Sequence, residues 1–260
     1  MKVINLKGKV AVVTGGAGEL GRTMVRELAK CGADVAIGYY SQEDAARALG
    51  EEVGQKYGVR ATYVYVDVTN YDSIVNMKKA VKETLGAADI IVNNSVVQYQ
   101  WTSVLEQNIS DYDSQYKSCV MQCVYMAKAF VPDMIEKKYG RVIGINTECA
   151  MQMFPYQSAY VAGKRGMDGV YKVLAREVGQ YNITVNQVAP GWIKSDKFQN
   201  ATGAEANLGQ NFPYIERVPM GRRGTDNEVA DAVCFLASDL ASFITGAYIP
   251  VCGGNVMPCI

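Results

Sequence analysis

The sequence predicts a single-domain, doubly wound α/β fold with a seven-stranded parallel sheet flanked by helices. Three observations lead there. Short runs rich in β-branched residues alternate with longer stretches of helical period, as βαβ units require. A glycine-rich turn, Gly15-Gly16-Ala17-Gly18-Glu19-Leu20-Gly21, stands between the first such run and the first helical stretch. The chain has 260 residues, 49% apolar and 20% charged, which is ordinary composition for one substantial core. No linker, repeat or low-complexity tract divides it, so residues 1–260 are expected to form one domain.

The first strand is expected at 10–14, a continuous apolar run of the kind that is buried on both faces of a parallel sheet. A helix follows at 20–31, then a strand at 34–39 and a helix at 42–57. The third strand falls at 60–66 with its helix at 71–85, and the fourth strand at 90–93 with a long helix at 111–138. Strand 141–146 leads to helix 158–180, strand 184–188 to helix 226–237, and strand 247–251 closes the sheet. In such a fold the ligand crevice opens at the carboxyl ends of the strands. Residues 194–219 carry weak periodicity and many Asn, Gly and Gln, and are expected to form a substrate lid.

Composition excludes several function classes. Lys plus Arg and Asp plus Glu number 26 each, so no net charge draws the chain to nucleic acid or an anionic membrane. Neither a signal-peptide pattern nor an apolar stretch of membrane-spanning length is present, and a cytoplasmic location is expected. Seven cysteines without a CxxC pair and no histidine point to reduced buried thiols and to no metal site. The missing histidine also excludes a Ser-His-Asp or Cys-His mechanism. Proton chemistry is left to Tyr, Lys, Cys or a carboxylate.

The glycine turn is where an anion would bind. Gly16, Gly18 and Gly21 read as GxGxxG after a strand and before a helix, with Gly15 opening the turn. Backbone amides and the helix dipole favour a pyrophosphate there, in a Rossmann-type arrangement. Glu19 competes for the same field, since a carboxylate also satisfies a helix N-terminus. The second strand ends in Tyr39-Tyr40-Ser41, with neither an acid for the ribose hydroxyls nor an Arg for a 2′-phosphate. NAD and NADP therefore both remain open as cofactor.

Tyr160 and Lys164 stand four apart in a helical stretch and so share a face. A free phenol titrates at about 10, and bringing it near neutrality takes roughly 4 kcal/mol. One ammonium at about 4 Å supplies about that much at an effective dielectric of about 20. The pair is thus sufficient for proton donation and acceptance, though the same spacing is common on ordinary amphipathic helices.

The chain resembles the short-chain dehydrogenase/reductase family, and within it the β-ketoacyl-carrier-protein-reductase-like members. The matching pieces, in order, are Lys9 through Gly15, Asp67-Val68, Val92-Asn93-Asn94, Gly140-Arg141-Val142, Tyr160 through Lys164, Asn186 through Gly191 and Ile244-Thr245-Gly246. The resemblance implies an NAD(P)-dependent oxidoreductase interconverting a carbonyl and an alcohol. It implies Tyr160 as general acid and base, Lys164 as the group that binds the nicotinamide ribose and lowers the Tyr160 pKa, and Thr147 as the hydroxyl orienting the substrate. It further implies cofactor contacts at Gly15, Gly18, Glu19, Leu20, Gly21, Tyr39, Tyr40, Asp67, Val68 and Asn93, with Pro190, Gly191 and Ile193 cradling the nicotinamide. A homotetramer is the implied assembly, built on the faces at 120–131 and 170–178 and the tail at 250–260.

Four positions depart from the family pattern. Glu19 replaces a glycine, Ser95-Val96 replace Ala-Gly, Thr147 replaces Ser, and Cys119 falls where an Asn anchors a proton-relay water. A thiol is a weak hydrogen-bonding group, so a relay through Cys119 is expected to be poor. A catalytically impaired nucleotide-fold scaffold is the competing reading. Val97, Glu148, Met153, Phe154 and Trp192 are expected to border a small-molecule substrate, and their aromatic and sulfur character suits apolar or ring-shaped compounds.

Overall fold

The computed structural model describes residues 4–194 and 213–257. Its core is a seven-stranded, wholly parallel sheet in the order β3-β2-β1-β4-β5-β6-β9. The strands are β1 (Val10–Val13), β2 (Asp34–Tyr39), β3 (Ala61–Tyr65), β4 (Ile90–Asn93), β5 (Gly140–Ile145), β6 (Ile183–Pro190) and β9 (Tyr248–Val251). The order reverses between β1 and β4, which sets the switch point of a doubly wound sheet. Helices α1 (Glu19–Lys30), α2 (Glu43–Tyr57) and α9 (Asp226–Ala237) cover one face, in a core that includes Met24, Leu28, Ile37 and Val233. Helices α3 (Tyr71–Thr84), α5 (Gln122–Lys137) and α7 (Ser158–Val178) cover the other, around Ile74, Met126, Phe130 and Tyr171. Both faces of the sheet are buried, which is why β1, β4, β5 and β6 carry no exposed residue.

The expected elements are present within one or two residues, with one exception of consequence. The helix expected over 111–138 is not continuous. It runs as α4 (Ile109–Gln115), a π-helical turn (Tyr116–Met121) and then α5. The widened turn lies where Gly163 of α7 presses in, leaving a Cβ at 163 only 2.9 Å from the Gln115 carbonyl oxygen and 3.2 Å from Cys119 Cβ. Side-chain periodicity cannot register such a backbone change. Among the described residues, small additions also escape the sequence pattern, among them α6 (Cys149–Gln152), α8 (Pro213–Arg217), and a two-stranded sheet of β7 (Ile193–Lys194) with β8 (Gly224–Thr225). Most of the expected lid at 194–219 lies outside the described residues.

The two ends of the sheet are built differently. At the amino ends, charged groups tie strands together. Asp89 accepts from Val10 N at 2.9 Å and from Lys137 Nζ at 3.0 Å, and Arg60 pairs with Asp34 at 2.6 Å. Arg141, almost wholly buried, donates to the Gly140 carbonyl and to Asp239, both at 2.9 Å. At the carboxyl ends lie the glycine turn and the polar side chains of the site. Among the described residues no helix is long and apolar enough to cross a membrane, and no cluster of acidic or Cys side chains could hold a metal.

Gly144 in β5 sits under the rigid ring of Tyr171 and the end of Met167, where an added Cβ would overlap both. That space lets Asn93 Nδ2 donate to the Tyr171 hydroxyl at 2.5 Å, locking β4 to α7. Gly144→Ala is expected to destabilise the protein by about 1–3 kcal/mol through overpacking. Urea unfolding checks this, and an unchanged midpoint would mean that Tyr171 can move aside at no cost.

Candidate active site

One cavity of about 1060 Å³ opens along the carboxyl ends of the strands. At one end is the turn between β1 and α1. Gly15 has φ +61°, and a Cβ there would stand 2.8 Å from Ser95 Oγ. A Cβ at Gly21 would run into the Gly15 carbonyl oxygen and come within 2.9 Å of Gly16 Cα. The third glycine therefore lets α1 start close against the turn, with its first amides facing the cavity. The turn is held from behind. Thr14 Oγ1 donates to Gln122 Oε1 at 2.7 Å and accepts from Asn94 N at 3.0 Å and Ser95 N at 3.2 Å. Asn94 Nδ2 donates to the Thr14 and Gly15 carbonyls at 3.1 Å each.

Glu19 does reach the cavity wall, but its carboxylate is paired with Arg22 at 3.2 Å, three residues along α1. With that side chain half-exposed, the pair contributes little to stability, yet the cation offsets the charge that would oppose an anion. Arg22 itself lines the cavity. Sequence reading passed over it, although its i+3 spacing from Glu19 puts both on one helical face.

At the other end, Thr147, Tyr160 and Lys164 line the same cavity. Asn146 arranges two of them: its Nδ2 donates to the Lys164 carbonyl at 3.0 Å, and its Oδ1 accepts from Thr147 N at 2.9 Å. Lys164 is buried with Nζ donating to the Ile145 carbonyl at 2.6 Å, and it lies 5.7 Å from the centre of the Tyr160 ring. Trp101 stacks on that ring at 5.8 Å, and Tyr160 N donates to the Tyr99 hydroxyl at 2.7 Å. Burial pushes the Tyr160 phenol well above its ordinary range, Cys149 and Cys119 add to this, and a hydrogen bond with Thr147 works the other way. Desolvation dominates, and Lys164 does not figure among the groups that lower it.

Of the residues singled out in the sequence, Gly15, Gly18, Glu19, Leu20, Tyr40, Asp67, Val68, Val97, Thr147, Tyr160, Lys164, Pro190, Gly191, Trp192 and Ile193 share this wall. The others stand off it, each for a local reason. Gly21 packs against the turn. Tyr39 turns its ring toward Tyr63 and Tyr65, at 6.2 and 6.1 Å. Asn93 is buried against Tyr171. Cys119 is buried behind Gly163, its thiol 3.8 Å from Gln115 Oε1 and its carbonyl accepting from the Cys123 thiol at 2.9 Å. Glu148 is buried and faces Tyr214 and Asn255. Met153 is exposed, and Phe154 carries the Arg217 guanidinium at 5.2 Å. Conversely, Asn94, Asn146 and Arg223 line the cavity without having been predicted to. Arg223 gives no sequence signal, because it reaches the site only by folding over the Trp192 ring at 4.3 Å.

Comparison with known proteins agrees with this geometry. Residues 15–255 match the family model described as enoyl-(acyl carrier protein) reductase. The 3-oxoacyl-[acyl-carrier-protein] reductases FabG of Staphylococcus epidermidis and Escherichia coli are 33% and 34% identical to it. The alignments cover 96% and 98% of this chain and 99% and 100% of those proteins. A Serratia marcescens short-chain dehydrogenase/reductase mutant superposes with a TM-score of 0.84 at 29% identity, over 96% of this chain and 98% of its own. An NAD+-bound xylitol dehydrogenase gives 0.84 at 27% identity, over 96% and 99%. This chain belongs to the short-chain dehydrogenase/reductase family of NAD(P)-dependent oxidoreductases acting on CH–OH groups.

Proposed function

We propose that the chain interconverts a ketone or aldehyde and its alcohol, with Tyr160 as the general acid and base. The observation that carries this reading is that Thr147, Tyr160 and Lys164 share one cavity with the glycine turn. The residues present fit a nicotinamide dinucleotide. The turn leaves backbone open to a pyrophosphate, Asp67 and Val68 would face the adenine, and residues 190–193 would face the nicotinamide. When bound, the dinucleotide supplies or accepts the hydride. The protein does the rest. In reduction, the Tyr160 phenol gives its proton to the carbonyl oxygen, and the Thr147 hydroxyl orients that oxygen. Lys164, anchored on Ile145, would hold the ribose and present its positive charge to the developing alkoxide. Family membership and the intact pair favour this over a silent scaffold.

Trp101 stacked on Tyr160 and Trp192 in the wall support an apolar or ring-shaped small-molecule substrate. A homo-oligomer is proposed from the resemblance alone.

Four outcomes test the reading. NADH or NADPH is expected to bind with a Kd on the order of micromolar in calorimetry. Tyr160→Phe should keep that affinity within about threefold while lowering turnover roughly 10²- to 10⁴-fold; full turnover in this variant would remove Tyr160 from the mechanism. The raised Tyr160 pKa also fixes the sign of the pH dependence. The protonated form, needed for reduction, persists below the folded pKa, so kcat/KM for reduction should be flat between about pH 6 and 9. Oxidation needs the phenolate and should climb with pH over the same interval. A reduction rate falling tenfold across it in pH–rate profiles would show that Tyr160 is not held protonated. Finally, aromatic ketones should be turned over faster than short polar keto acids in competition assays, and the opposite order would refute the apolar substrate.

A further inference from the structure

Glu148 follows Thr147 directly, yet its side chain leaves the cavity and is 97% buried, with only 3% exposed. A buried carboxylate needs donors. Among the described residues no cation pairs with it. Instead the Tyr214 hydroxyl donates to Oε1 at 2.5 Å and Asn255 Nδ2 to Oε2 at 3.0 Å. Burial pushes the Glu148 carboxyl up, and these two hydrogen bonds hold it down.

The same Tyr214 hydroxyl accepts from Trp192 N at 2.9 Å, and the two rings meet edge-on at 5.4 Å. Glu148 N donates to the Pro190 carbonyl at 2.9 Å. Between these groups there is room only for glycine: a Cβ at Gly191 would stand 2.7 Å from the Tyr214 hydroxyl and 2.9 Å from Glu148 Oε2. One carboxylate therefore joins the end of β6, helix α8 and the segment after β9, immediately beside Thr147.

We propose that Glu148 is a positioning residue: by accepting from Tyr214 and Asn255, it fixes Trp192 and the 190–193 wall of the cavity. Asn255, far along the chain, then belongs to the machinery of the site. The proposal rests on reading 190–193 as the nicotinamide end. Its chemistry favours an anion, because a carboxylate accepts from both donors as they stand, whereas an amide at 148 keeps both bonds only by turning the Asn255 amide over and loses the charge that strengthens the bond from Tyr214.

The chain has two tryptophans, so a Trp101→Phe background leaves Trp192 as the sole indole reporter. In that background Glu148→Gln and Tyr214→Phe should each shift Trp192 emission to the red. Each should weaken NADH or NADPH binding in calorimetry roughly 10- to 100-fold, as expected for loss of a hydrogen bond to a charged group. The double variant should be no worse than the single ones, since both cut one network. Glu148→Gln with Asn255→Asp, which exchanges amide and carboxylate, should recover to within about threefold of the starting affinity. Tyr214→Phe removes only a hydroxyl from a half-buried ring and keeps the test valid if Glu148→Gln does not fold. Unchanged emission and affinity in both single variants, or losses that simply add, would overturn the proposal. If the unmodified protein binds neither dinucleotide, the oxidoreductase reading fails, and Trp192 emission alone decides the role of Glu148.

Discussion

The site depends on how near helix α1 comes to strand β1. A side chain at residue 21 would strike the Gly15 carbonyl, so the absence of one sets the distance between the strand end and the first helical amides. Every other part of the turn is arranged around that approach. Thr14, Asn94 and Gln122 occupy the polar groups that the turn leaves behind it, so the amides in front stay available to an anion. Gln122 also donates to the Ser95 carbonyl at 2.9 Å, which carries the constraint into α5 on the opposite face of the sheet. The proposed phosphate recognition would thus be a property of the packing between two layers as much as of a glycine motif.

The Tyr160 end of the cavity follows a different rule. There, enclosure decides the chemistry. Burial keeps the proton on the Tyr160 phenol, Cys149 and Cys119 add to this, and Trp101 lies over the ring. Lys164 is turned to the Ile145 carbonyl, with Nζ 5.7 Å from the centre of the Tyr160 ring, and does not offset this. Under the proposed reading, the surroundings that would suit a ring-shaped substrate would also help to set the acidity of Tyr160.

Much of this could be read from the sequence, for identifiable reasons. Strands buried on both faces leave continuous apolar runs, and helices leave a regular period, so the α/β order was legible throughout. The turn and the Tyr160/Lys164 pair were legible because glycine conformation and helical spacing are local properties. Side-chain direction was not. Tyr39 and Tyr40 are neighbours and both rings meet Tyr65, yet only Tyr40 lines the cavity. Glu148 was expected at the substrate because it adjoins Thr147, and only the position of Tyr214 and Asn255 shows where its carboxylate goes. The π-helical turn at 116–121 was invisible for a related reason: it answers to a glycine in another helix, some forty residues away.

The split between the two ends of the sheet has a consequence for how inherited variation in this chain would be felt. The charged ties at the amino ends, such as Asp89 with Lys137 and Arg141 with Asp239, touch nothing in the cavity. Breaking them lowers the amount of folded protein a cell maintains while each surviving molecule works normally. Changes confined to the more exposed side chains that line the cavity, such as Glu19 and Tyr40, leave abundance closer to normal and act on what each molecule does. Loss-of-function alleles should therefore fall into two physical classes separated by the length of a strand, one answerable to chaperones or added ligand, the other to neither.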